Sequence, residues 1–177
     1  IMPIVTMALA IAAFGNELED RTLGYLVLKP IRRSLIVLPK LLASFTLGGP
    51  LMIASGVVAT LLLLDADIQA AVAVGVALFA GVVAYTAIFA WAGLMMSTRA
   101  LGFALIYVLL WEGVIGTLFG GVRYLSVRGY TLAIMHGIDK STFEEIGDRV
   151  IEVPAAIAGA ATVTVVFYWL AVYRLRR

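Results

Sequence analysis

The chain has 177 residues, of which 63% are apolar and 14% charged, with a net charge of +2 and no cysteine. An ordinary soluble domain is about 45–50% apolar and about 25% charged, so this composition excludes a soluble globule. It also excludes disulfide frameworks, thiol catalysis and Cys-based metal sites, and so small a net charge gives no footprint for nucleic acid.

Ile1–Phe14 is apolar, with no charged leading region and no small-residue cleavage site, so it does not read as a signal peptide. As a helix it rises about 21 Å, short of the roughly 30 Å hydrocarbon core. We take it as the end of a span that begins upstream.

Gly15–Lys40, GNELEDRTLGYLVLKPIRRSLIVLPK, is the most informative stretch. Asn16 and Glu19 have capping-box spacing. Glu17, Glu19 and Asp20 stand in the first turn, where the helix dipole favours anions, and Lys29, Arg32 and Arg33 follow its far end. Leu18, Thr22, Tyr25 and Leu26, joined by Leu23, form one flank, and Pro30 ends the helix. The prediction is a short amphipathic helix over Asn16–Leu28, lying across the inner ends of the spans it joins. Its acidic half gains nothing from an anionic leaflet, which favours a protein partner over a lipid surface.

The order Glu17, Thr22-Leu23, Leu26, Pro30, Arg33, Lys40 resembles the "E-R-E-x-G-T-L-x-x-L-x-x-x-P-x-x-R" signature of ABC-2 type transporter permeases, with its lysine seven residues beyond the arginine. Arg21 stands where that family often has glycine. The resemblance implies a coupling helix that docks on a separate ABC ATPase subunit. Glu17, Glu19, Asp20, Thr22, Leu23 and Leu26 would then lie at the docking contact, with Pro30, Arg33 and Lys40 shaping the return into the membrane. ATP and Mg would be held by the ATPase, and a second permease copy or homologue would complete the complex.

Four further apolar runs are each long enough to cross: Leu35–Leu64, Ala70–Ser97, Leu101–Gly120 and Val153–Tyr173. The fold class expected is an all-α, polytopic transmembrane helical bundle forming one domain, with five spans visible. By resemblance it takes the ABC-2 exporter fold, whose first helix of six is missing here. Gly48-Gly49-Pro50 predicts a kink or interruption in the second visible span. Asp65 and Asp67 are expected to make a turn and a helix cap. Gly75, Gly81, Gly93, Gly116-x-x-x-Gly120 and Ala155-x-x-x-Gly159 supply small residues for close helix packing.

Within the run Leu101–Gly120, Glu112 is the only acid in a predicted span, about 16 Å from its start. A carboxylate there needs a partner. Two readings stand. In one, a Tyr, Thr or Arg of a neighbouring span bonds it and holds helices or the outer segment in place. In the other it belongs to the translocation path or gate, with Arg123 or Arg128 as its partner. Leu110-Trp111-Glu112-Gly113, followed by Arg123-Tyr124-Leu125-Ser126-Val127 and Tyr130, resembles the "L-W-E-G" and "R-Y-L-S-V-x-x-Y" elements of the same permeases.

Gly121–Glu152 mixes nine charges with an apolar first half. It predicts a short helix dipping into the outer leaflet, a solvated turn and a second short helix capped by Ser141 and Glu144. By resemblance this is the outer gate region, and an extracellular cap without gating is the alternative. If Gly15–Ser34 is cytoplasmic, nine Lys and Arg lie inside and four outside, as the positive-inside rule requires. Tyr168, Trp169 and Tyr173 then form an aromatic belt, and the C-terminus is cytoplasmic.

His136 is the only histidine and no G-x-x-x-x-G-K-[ST] loop occurs, so neither a metal centre nor an ATPase site is expected in this chain. The resemblance implies the transport subunit of an ATP-driven exporter in a prokaryotic plasma membrane. The alternative is an ion-coupled carrier or channel using Glu112.

Overall fold

In a computed structural model of the protein, residues 2–19, 32–95, 99–115 and 120–175 are described. Among them the elements are helical throughout: α1 (Met2–Glu19), α2 (Ser34–Leu63), α3 (Ile68–Met95), α4 (Ala100–Ile106), α5 (Val127–Ile138) and α6 (Val153–Arg174). α4 runs directly into a π-helix over Tyr107–Ile115, and short 3-10 helices cover Gly120–Leu125 and Glu144–Arg149. Three helices, α2, α3 and α6, are long and apolar enough to cross a membrane. They correspond to the predicted runs at Leu35–Leu64, Ala70–Ser97 and Val153–Tyr173. Met2–Ala12 and Ala100–Ile115 are shorter apolar helices over the other two.

α1 passes through Gly15 and Asn16 without a break, so no helix starts at Asn16 and the expected capping box does not form an N-terminus there. Propagating a helix already formed is far easier than nucleating one, and a single Gly weakens it by only about 1 kcal/mol. The rest of the predicted amphipathic segment, with Asp20, Thr22, Leu23, Leu26 and Pro30, lies outside the described residues. α2 likewise runs unbroken through Pro39 and Pro50. Pro50 removes one backbone donor, yet the buried Gly48 beside it packs against Leu9 of α1, and the helix continues.

A tight turn joins α2 to α3. Asp65 (φ 47°) and Ala66 (φ 65°) adopt left-handed backbone there. Asp67 then caps α3, its Oδ1 accepting from the amides of Gln69 at 2.9 Å and Ala70 at 3.1 Å. The expected turn and cap are both present, and the carboxylate sits where the dipole of α3 favours it.

α3 is the axis of the bundle, packed against α1, α2, α5 and α6. Its buried face is rich in alanine and glycine, including Ala73, Ala77, Gly81, Ala84 and Gly93. Small side chains let helix backbones approach closely. At Gly93 the approach is backbone to side-chain position, because a Cβ there would lie 3.1 Å from the Ile11 carbonyl oxygen. Near the middle of α3, Tyr85 and Phe89 stack with centroids 5.6 Å apart, and Phe89 meets Tyr107 edge-on.

α5 runs antiparallel to α3. At its C-terminal end Gln69 Nε2 donates to the Ile138 carbonyl at 3.1 Å, and Thr142 donates to Asp67 at 3.4 Å. At its N-terminal end Arg128 and Thr131 share a cleft with Tyr85, 17 residues and about 26 Å along α3. Tyr130 packs on Gly159 and Val153 on Gly137, so α5 is antiparallel to α6 as well. The N-terminus of α5 therefore points into the bundle and its C-terminus towards the Asp67 turn.

The predicted second short helix exists as the 3-10 helix Glu144–Arg149, but Phe143 precedes it and Ser141 does not cap it. Ser141 Oγ instead donates to Asp139 Oδ1 at 2.7 Å, and the Thr142 amide donates to the same oxygen at 3.1 Å. The aspartate wins because its side chain closes a local turn more strongly than a serine hydroxyl does.

Candidate functional site

A helix start inside an apolar bundle carries amide groups with no intrahelical partner, and each such buried donor is costly. A carboxylate buried alone is costlier still. Here the two requirements meet. Glu112, 3% exposed on the π-helix, faces the first turn of α5. Its Oε1 accepts from the Val127 amide at 3.0 Å and from the Tyr107 hydroxyl at 3.0 Å. Its Oε2 accepts from the Ser126 hydroxyl at 2.5 Å and the Arg128 amide at 3.1 Å. A carboxylate offers about four acceptor positions, and all are used.

Ser126 completes the cap. It holds extended backbone (φ −107°, ψ 125°), and its Oγ accepts from the Gly129 amide at 3.1 Å. The amides of Val127, Arg128 and Gly129 are thus all satisfied, two by Glu112 and one by Ser126. The positive end of the α5 dipole faces this carboxyl group.

The π-helix matters to this geometry. Its wider turn changes which side chains share a face, and π-helical segments recur at functional sites. Tyr107 and Glu112, five residues apart, bond to each other on this helix. Trp111 Nε1 donates to the Leu125 carbonyl at 3.3 Å, and the Tyr130 hydroxyl donates to the Tyr124 carbonyl. The two sequence patches Leu110–Gly113 and Arg123–Tyr130 are therefore brought together in space.

The predicted partners of Glu112 take different parts. Arg128 reaches it through the backbone N–H, and its side chain is exposed at the rim of a cleft of about 330 Å³ that Glu112, Tyr85 and Met2 also line. Arg123 contributes its carbonyl, which accepts from the Ser126 amide at 3.4 Å. The same carbonyl lies against Gly129, where a Cβ would come within 2.5 Å of it. Only glycine fits so close an approach.

Of the predicted docking residues, Glu17 and Glu19 fall in the last turn of α1, and the others lie outside the described residues. Arg33 precedes α2, its carbonyl accepting from the Ile36 and Val37 amides. Lys40 lies in the second turn of α2, its carbonyl accepting from Ser44 Oγ at 3.0 Å.

Sequence reading missed the role of Ser126 and the contribution of Tyr107. Ser126 carried a signal: it directly precedes Val127, Tyr130, Ala133 and Ile134, an apolar helical pattern after an N-cap residue. Tyr107 carried none, because ordinary α-helical spacing does not pair residues five apart.

At the opposite end of α5, Asp139 is almost fully buried and closes the turn that follows the helix. The side chains of Thr142 and Ser141, with the Thr142 amide, hold its carboxyl below the usual carboxylate range. Hydrogen bonds to the charged form produce this direction.

Among the described residues no group of three or more His, Asp and Glu could hold a metal ion. No protein-family model, curated protein or solved structure matches the chain.

Proposed function

We propose that the chain is the membrane-embedded permease subunit of an ATP-driven ABC-2 type exporter, working with a second permease and with separate ATPase subunits. The observation that supports this reading is the arrangement of the described helices on either side of the motif. α1 ends and α2 begins at the bundle end where α6 finishes, and the Glu112-capped helix α5 packs along the other half of α3. A push on the segment at one end would be relayed by α1, α2 and α3 to a re-entrant helix at the other. Such a bundle, biased by a partner, is what alternating access requires. On this reading the apolar helices cross the membrane, the Asp67 end is outermost and the C-terminus is cytoplasmic.

The test is to replace Glu17, Thr22 and Leu26 together with alanine in the full complex. Loss of ATPase co-purification and of ATP-dependent transport is expected. Retained binding with retained transport overturns the docking assignment.

A second reading, an ion-coupled carrier or channel, is favoured by one observation: Glu112 lines an open cleft. It requires transport driven by an ion gradient without ATP, and loss of that transport in Glu112→Gln.

A further inference from the structure

α2 and α6 both pack on α3 but touch each other at only a few positions. Between them runs a groove of about 370 Å³ with Phe79, Val83 and Thr86 on its floor. It continues into a second groove of about 480 Å³ between α3, α5 and α6, because Phe79, Val83, Thr164 and Val165 line both. Both threonine hydroxyls in it are spent on their own helices, Thr86 donating to the Val82 carbonyl at 2.7 Å and Thr164 to the Ala160 carbonyl at 2.8 Å. Tyr168 brings a third hydroxyl at the groove's end, and the rest of the lining is apolar.

Its length suits an acyl chain. From Tyr168 to Ile157 along α6 the groove extends about 16 Å, the depth of one leaflet of a roughly 30 Å hydrocarbon core.

Charge selects the headgroup. Beyond Tyr168, α6 presents the stacked pair Trp169 and Tyr173, with centroids 5.4 Å apart, and then Arg174. α2 enters the same bundle end through Arg32, Arg33 and Lys40. Aromatic rings at headgroup level beside cations suit an anionic phosphate ester.

We propose that this groove is a binding site for an anionic phospholipid, one acyl chain lying between α2 and α6 and the headgroup against the basic ends of these helices. The proposal rests on the helices lying in a bilayer and is independent of what energises transport. To test it, the protein is reconstituted in vesicles of phosphatidylcholine with phosphatidylglycerol that carries a mid-chain diazirine, and the photolabelled residues are mapped by mass spectrometry. Labelling of Phe79, Val83 and Val165 that excess unlabelled phosphatidylglycerol competes away is expected. Thr164→Phe should cause loss of that labelling while Leu47 and Leu51, exposed elsewhere on α2, stay labelled. Arg174→Gln, which leaves the groove walls intact, should cause loss of the preference over a phosphatidylcholine analogue. Labelled Leu47 and Leu51 with an unlabelled or uncompeted groove overturns the lipid site alone. Equal labelling by both lipids in the unmodified protein overturns it too, as do cross-links from the groove to a second copy. No label anywhere overturns the bilayer placement as well, whereas loss of ATPase co-purification bears on the exporter reading only.

Discussion

Glu112 and Ser126, 14 residues apart, share a hydrogen bond of 2.5 Å, and together they hold the first three amides of α5. A buried acid and a buried helix start, each unfavourable alone, make one satisfied unit. Glu112→Ala leaves several buried donors without partners, at about 1–3 kcal/mol for each. Glu112→Gln keeps the shape but puts an amide NH₂ where the carboxylate accepts, and a loss of about 1–3 kcal/mol is expected. Ser126→Ala should lose about 1–2 kcal/mol through the missing cap. Thermal unfolding in detergent measures all three, and faster proteolysis of 121–138 should accompany each. Unchanged stability of Glu112→Ala would show that the cap is not needed.

Gly129→Ala should be at least as damaging as Ser126→Ala, because the new methyl meets the Arg123 backbone, which cannot swing aside as a side chain can. Gly121→Ala is the matched control, with nothing within 4 Å of the added carbon, and should be close to neutral. The same unfolding assay compares them, and equal midpoints count against the packing described for this turn.

Asp139 gives the α5–α6 turn a defined pH response. Its folded-state pKa lies below the unfolded value of about 3.9, so the unfolded chain binds more protons in that range. The stabilisation is complete above about pH 4 and is lost as the pH falls through the lower folded value. Asp139→Asn should remove this acid-side loss. Amide exchange across residues 139–150, followed down to acid pH in both proteins, measures it. Identical profiles would contradict the assignment.

The chain contains no cysteine, so single introduced thiols report topology without background. Lys140→Cys and Arg99→Cys place thiols at exposed positions on opposite ends of the bundle. With the Asp67 end outside, an impermeant maleimide should label Lys140→Cys on intact cells and Arg99→Cys only after permeabilisation. The reverse pattern inverts the threading.

The long apolar runs were legible because length and composition alone define them, and α2, α3 and α6 fall within a few residues of the predicted limits. Asp67 was legible as a cap because its partners are its own neighbours in sequence. Ser141 misled because it competes with Asp139 two residues before it, and local spacing does not rank such competitors. The direction of α5 was not legible, since it depends on contacts such as Gln69 with Ile138, 69 residues apart. Glu112 stood out as an unusual acid, but two of its four partners are backbone amides, which every residue type offers and no sequence pattern marks.

The shell around Glu112 is completed by residues made 14 to 16 positions later. At about 5–20 residues per second of synthesis, the ribosome has delivered the acid roughly one to three seconds before Ser126, Val127 and Arg128 exist. During that interval, of the four donors described above, only Tyr107 has been made. The segment bearing Glu112 is thus a poor candidate for release into lipid on its own. On the proposed membrane placement it gains by waiting at the insertion machinery until α5 emerges, and these two helices would then enter as a single late unit.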